Sequence, residues 1–181
     1  MDVDLDRYRE PSRDPAAVAD RRAALLDQLG WLADEAAALA PVLGRLPAWA
    51  LEGAPLPGDR SVKETLAHLA RLDREGYPRW LGALEAGEAL AAPEVPRAPR
   101  ANERDVDALI EDLRRARADL IARVEVIPEP AWAREGALEG EPVRLDDLLL
   151  RIVRHDADAL RALAYRLHEA KLTDRPQDLP K

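Results

Sequence analysis

The sequence predicts an all-α fold, a four-helix bundle. Three observations carry that prediction. Four stretches place apolar residues at spacings of three and four, Pro-rich segments separate them, and no stretch shows strand alternation. The chain has 181 residues, 47% apolar and 34% charged, the balance of a globular protein, and its length suits one domain. Phe is absent, so the core must come from Leu, Ala, Val and Ile.

The first stretch runs from Ala16 to about Leu46. Leu25, Leu29, Leu32, Ala36, Leu39, Leu43 and Leu46 form one stripe. Asp14 supplies a capping oxygen, and Pro15 suits the first helical position. Pro41 lacks an N–H, which predicts a kink or early end near Ala37–Ala40. The second helix opens on Ser61-Val62-Lys63-Glu64, a capping box, and continues through Leu66, Leu69, Leu72 and Trp80. Pro78 should kink this helix without stopping it, because Trp80, Leu81 and Leu84 extend the same face.

Glu85 to Asn102 is Pro-rich and reads as an extended crossover. The third helix spans about Arg104 to Ile127, with Val106, Leu109, Leu113, Ala116, Leu120 and Val124 on its stripe. Its other face alternates Asp, Glu and Arg and reads as solvated. Ile127 to Arg144 reads as loop. The fourth helix spans about Leu145 to Ala170, with Leu149, Ile152, Leu160, Leu163 and Leu167 inward. The expected organisation is an N-terminal extension over 1–14, the bundle over 15–170 and a tail over 171–181. Leu66, Leu109 and Ile152 are expected in the core. The long connections leave room for a crossover, so an up-down-up-down order is not forced.

Charge narrows the function classes. Lys and Arg number 27 against 35 Asp and Glu, a net charge of −8. An acidic chain predicts no nucleic-acid partner and no anionic membrane surface, both of which need a basic face. There is no Cys, which excludes disulfides, a thiolate nucleophile, Cys-ligated zinc and iron–sulfur clusters. Residues 1–12 carry no apolar signal region, and no run approaches a membrane span. The expected compartment is the cytoplasm.

The candidate chemistry rests on histidine. There are three: His68, His155 and His168. His68 sits mid-way along the second helix, with Glu64, Thr65, Arg71 and Leu72 as lattice neighbours. His155 sits mid-way along the fourth, one turn after Ile152 and one turn before Ala159. His168 lies near a helix end, where the dipole favours a cation. A single mid-helix His on an apolar face is usually a buried polar residue with one hydrogen bond, whereas two on different helices allow a shared site. Arg71 and Arg154, each near a His, are candidates for an anionic substrate. Trp80 and Trp132 are candidates for lining a pocket. No Ser-His-Asp arrangement or Gly-rich phosphate loop is readable.

Two motifs resemble a known family. Ser61-Val62-Lys63-Glu64-Thr65-Leu66-Ala67-His68-Leu69 is similar to the second-helix signature of the DinB-like (DinB/YfiT-like) metalloenzyme superfamily. Arg144 to Asp158, containing Arg154-His155-Asp156, is similar to its fourth-helix signature. The resemblance runs from about Asp20 to His168. It implies an antiparallel four-helix bundle, often a homodimer, with a divalent metal held by one His on the second helix and an H-x-x-x-H pair on the fourth. Carried over, the ligands are His68 and His155, and the third position is Ala159. The Gln common three residues later is Ala162.

With that third His replaced, Asp158 and Glu64 are the candidates to complete a site for one Zn, Ni or Fe ion. The other outcome is no metal at all. The first reading makes the chain a metal-dependent thiol transferase or hydrolase acting on an unidentified small molecule. The second makes it a metal-free bundle that binds a small molecule or serves as a dimeric scaffold.

Overall fold

A computed structural model describes residues 15–173 except 92, 94 and 133. The N-terminal extension, Asp14 included, and residues 174–181 of the tail lie outside the described residues. The elements are α1 (Pro15–Leu43), α2 (Ala48–Glu52), α3 (Val62–Arg71), a π turn (Leu72–Gly76), α4 (Tyr77–Ala86), β1 (Ala89–Leu90) and a 3₁₀ turn (Ala101–Glu103). They continue with α5 (Val106–Glu125), α6 (Glu129–Trp132), β2 (Glu135–Leu138), β3 (Glu141–Arg144) and α7 (Leu145–Thr173).

Four long rods build the bundle: α1, the continuous α3–π–α4 rod, α5 and α7. α1 packs along α5 and α7, and α3 packs along α5. The pairs that follow each other in sequence, α1 with α3 and α5 with α7, therefore sit on diagonals. Long connections make this possible. One carries α2, and the other carries α6 and a β-hairpin.

Local chemistry sets each boundary. At α3 the Ser61 hydroxyl accepts from the Glu64 N–H, and the Glu64 carboxylate accepts from the Ser61 N–H, closing the capping box. Pro78 does not stop the rod, which continues through Trp80, Leu81 and Leu84 as expected. Its missing N–H falls in the first turn of α4, two residues after the π turn, whose wider i+5 spacing is seen in the Tyr77 N–H bond to the Leu72 carbonyl. Gly76 lies where the crossover passes. A Cβ there would meet Leu72 at 3.0 Å and Pro93 at 3.2 Å. Pro41 does not end α1 early. The helix runs two residues beyond it, because so near a C-terminus the missing bond disturbs little of the ladder.

Two expectations need correction. Ile127 to Arg144 is not loop throughout, and strands are present. β2 and β3 pair antiparallel, Gly136 with Val143, and β1 joins β2 in parallel. Glu139 at φ 54° and Gly140 at φ 87° form the left-handed two-residue turn that matches strand twist. Pro142 is tolerated because β3 is an edge strand. Leu138 and Val143 point into the core. Strands of four residues with one inward side chain each carry too little alternation to be read from sequence.

The core divides into two apolar layers. One gathers Leu25, Leu29, Leu72, Trp80, Leu120 and Ile152. The other gathers Leu32, Leu66, Leu109, Leu113 and Leu163. Leu66, Leu109 and Ile152 are buried as expected. At the seam between the layers sits one polar cluster.

Candidate functional site

α3 and α7 bring His68 and His155 together. Their ring centres stand 6.3 Å apart at 68°, edge to face. His68 is half-buried, and its Nδ1 is shut off from solvent with no hydrogen-bond partner among the described residues. Burial, and then the fields of Arg60, His155 and Arg71, hold its pKa down at about 4. It is therefore a neutral imidazole at ordinary pH. His155 lies at the rim, with 46% of its side chain exposed. Its Nδ1 is 3.2 Å from the Tyr77 hydroxyl. Tyr77 itself is buried. Burial, reinforced by Asp156 and Asp73, pushes its pKa upward, so the hydroxyl stays protonated.

Behind the imidazoles lies the polar seam. Arg117 of α5 donates twice to Asp73 of the π turn, both bonds 2.9 Å, and once to Asp156 of α7 at 2.6 Å. It also donates to the Leu29 carbonyl of α1 at 3.3 Å. One guanidinium thus ties all four rods. Burial works against its charge, but Asp156 and Asp73 outweigh burial and hold the guanidinium charged. Two carboxylates against one cation leave an excess negative charge in a dry interior. Burial accordingly pushes the Asp73 carboxyl up to about 6 despite Arg117. Asp156 Oδ1 has no hydrogen-bond partner and lies 3.9 Å from His155 Nδ1, so the seam borders the imidazole pair.

The remaining candidates scatter. Asp158 is turned to solvent and pairs with Arg161 at 2.6 Å, with 72% of its side chain exposed. Glu64 is held in the capping box. Neither joins the imidazoles. Ala159 packs against the second apolar layer. Trp80 and Trp132 are core residues whose indole N–H groups donate to the carbonyls of Ala91 and Ile127. Arg154 faces a separate shallow groove beside Pro142 and Asp147. Arg71 does border His68, in an open groove of about 680 Å3. Its guanidinium is held by Glu75 at 2.9 Å and by the Pro96 carbonyl at 2.8 Å.

Sequence reasoning missed Asp73, Arg117 and Asp156. Each is in register with an apolar stripe: Asp73 four residues after Leu69, Arg117 four after Leu113, Asp156 four after Ile152. Charges aligned on three inward faces were the signal. Asp156 is only 4% exposed although it directly follows the rim residue His155.

A family model described as the DinB superfamily matches residues 31–163. The chain belongs to the DinB superfamily. The structure is similar to that of YfiT from Bacillus subtilis, described as "a probable metal-dependent hydrolase with an unusual four-helix bundle topology". The identity is 13%, the TM-score is 0.68, and the match covers 88% of this chain and 92% of that one. No curated protein matches the chain significantly. Among the described residues, no helix is long and apolar enough to cross a membrane.

The DinB resemblance implies a metal, and the residues present can be tested for it. Two imidazoles on one tetrahedral ion hold their ring centres roughly 5–6 Å apart, given bonds of about 2.0–2.1 Å. The observed separation is near that range, and His68 Nδ1 is a neutral, unpartnered donor. The third donor fails. Ala159 offers a methyl group, Asp158 and Glu64 are elsewhere, and Asp73 and Asp156 are bound to Arg117. Asp156 Oδ1 stays 3.9 Å from His155 Nδ1, and among the described residues no three His, Asp or Glu side chains form a group that could hold an ion. This DinB chain does not fit a three-donor metal centre.

Proposed function

We propose that the chain is a DinB-superfamily protein that binds a small molecule in the groove beside His68 without the metal centre that the resemblance implies. The observation that carries this reading is the donor set: two imidazoles converge, no third ligand joins them among the described residues, and a buried Arg117 seam ties the rods. With two protein ligands, an ion would need at least two donors from outside the chain, which weakens the site.

The test is metal content. Untagged protein is soaked in zinc or nickel, desalted and measured by elemental analysis. Substoichiometric metal supports the reading. A full equivalent, lost in both His68→Ala and His155→Ala, overturns it. That second result supports the other reading, a Zn, Ni or Fe ion in a thiol transferase or hydrolase acting on a small molecule, and the unpartnered His68 Nδ1 is the observation in its favour. A cytoplasmic homodimer, the assembly the resemblance implies, belongs to the same proposal. Light scattering on the eluted protein checks the oligomer, and a monomer at every concentration removes it.

A further inference from the structure

The groove beside His68 carries charge that the chain does not neutralise. Arg60, Arg71, Glu75 and Arg79 border it, and Val95 with Pro93 forms an apolar wall. Glu75 and Arg71 cancel through their paired contacts at 3.2 and 2.9 Å. Arg60 and Arg79 make no ion pair among the described residues. Arg60 Nε is cut off from solvent and has no hydrogen-bond partner, the same condition as His68 Nδ1 in the same groove. Buried donors are almost always paired, so two unpartnered buried nitrogens on residues that line one groove leave bonding capacity unused there. The patch also runs against the overall charge of −8. A solvated surface would not gather its cations this way.

We propose that the groove holds the carboxylate or phosphate group of a small-molecule anion, anchored by Arg60 and Arg79, with the apolar part of the ligand against Val95 and Pro93. Guanidinium suits this task because its planar fork meets a carboxylate or phosphate through parallel N–H bonds. Arg60 is the part-buried guanidinium of the groove and Arg79 the exposed one. His68 lies within the field of Arg60, so its imidazole reports occupancy directly. The inference rests on the reading of this groove as a ligand site.

The experiment follows the imidazole signals of the full chain by NMR near neutral pH, after chelator treatment. Inorganic phosphate is titrated in one arm and benzoate in the other, which distinguishes the two headgroups. Saturable movement of the His68 signals in either arm, with exposed His168 unmoved, supports the site. Arg60→Gln and Arg79→Gln should each weaken binding about tenfold or more, the loss of one charge-assisted contact. Arg114→Gln, on the far surface beside Glu111, should leave it unchanged. Far-UV circular dichroism confirms that each variant is folded. Non-saturating shifts equal in all three His, in both arms, overturn the proposal. So does saturable binding that Arg60→Gln leaves intact. Zinc analysis reads the imidazole pair and anion titration reads the arginines, so a stoichiometric zinc equivalent overturns the metal-free reading while the arginine variants still decide this one.

Discussion

Removing Arg117 should be the most damaging single change in the bundle. Arg117→Met keeps most of the length and deletes the charge. It abolishes three bonds to carboxylates and one to the Leu29 carbonyl. Each charge-assisted bond contributes about 1.5–3 kcal/mol, but the full sum is not realised, because the orphaned Asp73 and Asp156 can take up protons. Breaking a buried ion pair by removing one partner costs about 3–5 kcal/mol. For a chain of this size each kcal/mol moves the melting temperature by roughly 2–4 °C, so a fall of roughly 6–20 °C is expected. Urea denaturation followed by circular dichroism measures it. The variant should recover stability as pH falls, because protonation removes the two uncompensated charges. Adding Asp73→Leu and Asp156→Leu to Arg117→Met should restore a large part of the loss, since an apolar set leaves nothing buried and unpaired. A loss below about 1 kcal/mol for Arg117→Met, or no recovery in acid, would refute the claim that this seam ties the rods.

Other outcomes follow from the same geometry. Ala159→His supplies the absent third donor and should raise zinc affinity roughly tenfold or more by calorimetry; unchanged affinity means that the imidazole pair is not poised for an ion. Two groups act oppositely on acid stability. His68, lowered from 6.5 to about 4, contributes stability that is lost as pH falls through that window. Asp73, raised from 3.8 to about 6, contributes stability that is lost as pH rises through its own window. His68→Gln should therefore flatten the acid limb of a stability–pH curve, and Asp73→Asn should steepen it. Ser61→Ala opens the capping box and should cost about 0.5–2 kcal/mol in urea denaturation. Leu109→Ala, fully buried between α5 and its neighbours, should cost about 2–5 kcal/mol.

The four rods were legible because their signals are long and redundant. The α5 stripe repeats over twenty residues, and the Ser61 capping box marks the start of α3 to the residue. The β-hairpin was not legible: its strands are short, and its turn depends on Glu139 taking a left-handed conformation that its residue type does not announce. The meeting of His68 and His155 was legible from helical position plus resemblance. What surrounds them was not. A sequence shows that Asp158 and Glu64 are carboxylates near the right faces, but not that Arg161 and the Ser61 N–H hold them elsewhere. The π turn matters here too. Its i+5 bond from the Tyr77 N–H to the Leu72 carbonyl is not announced by the apolar spacing, and neither is the Tyr77 hydroxyl contact with His155.

The seam and the imidazole pair are one construction. In a three-ligand site the ion itself would join α3 to α7, and losing a ligand would loosen that joint. Here Arg117 already joins α7 to the π turn that continues α3, and adds α1 and α5. Asp156 Oδ1 lies 3.9 Å from His155 Nδ1, and the Tyr77 hydroxyl reaches the same nitrogen at 3.2 Å from the other rod. The rods that carry the imidazole pair are therefore tied by internal charge. That tie lets Ala159 stand at the ligand position without collapse of the site. His68 and Arg60, which line the groove, each keep one buried nitrogen without a hydrogen-bond partner.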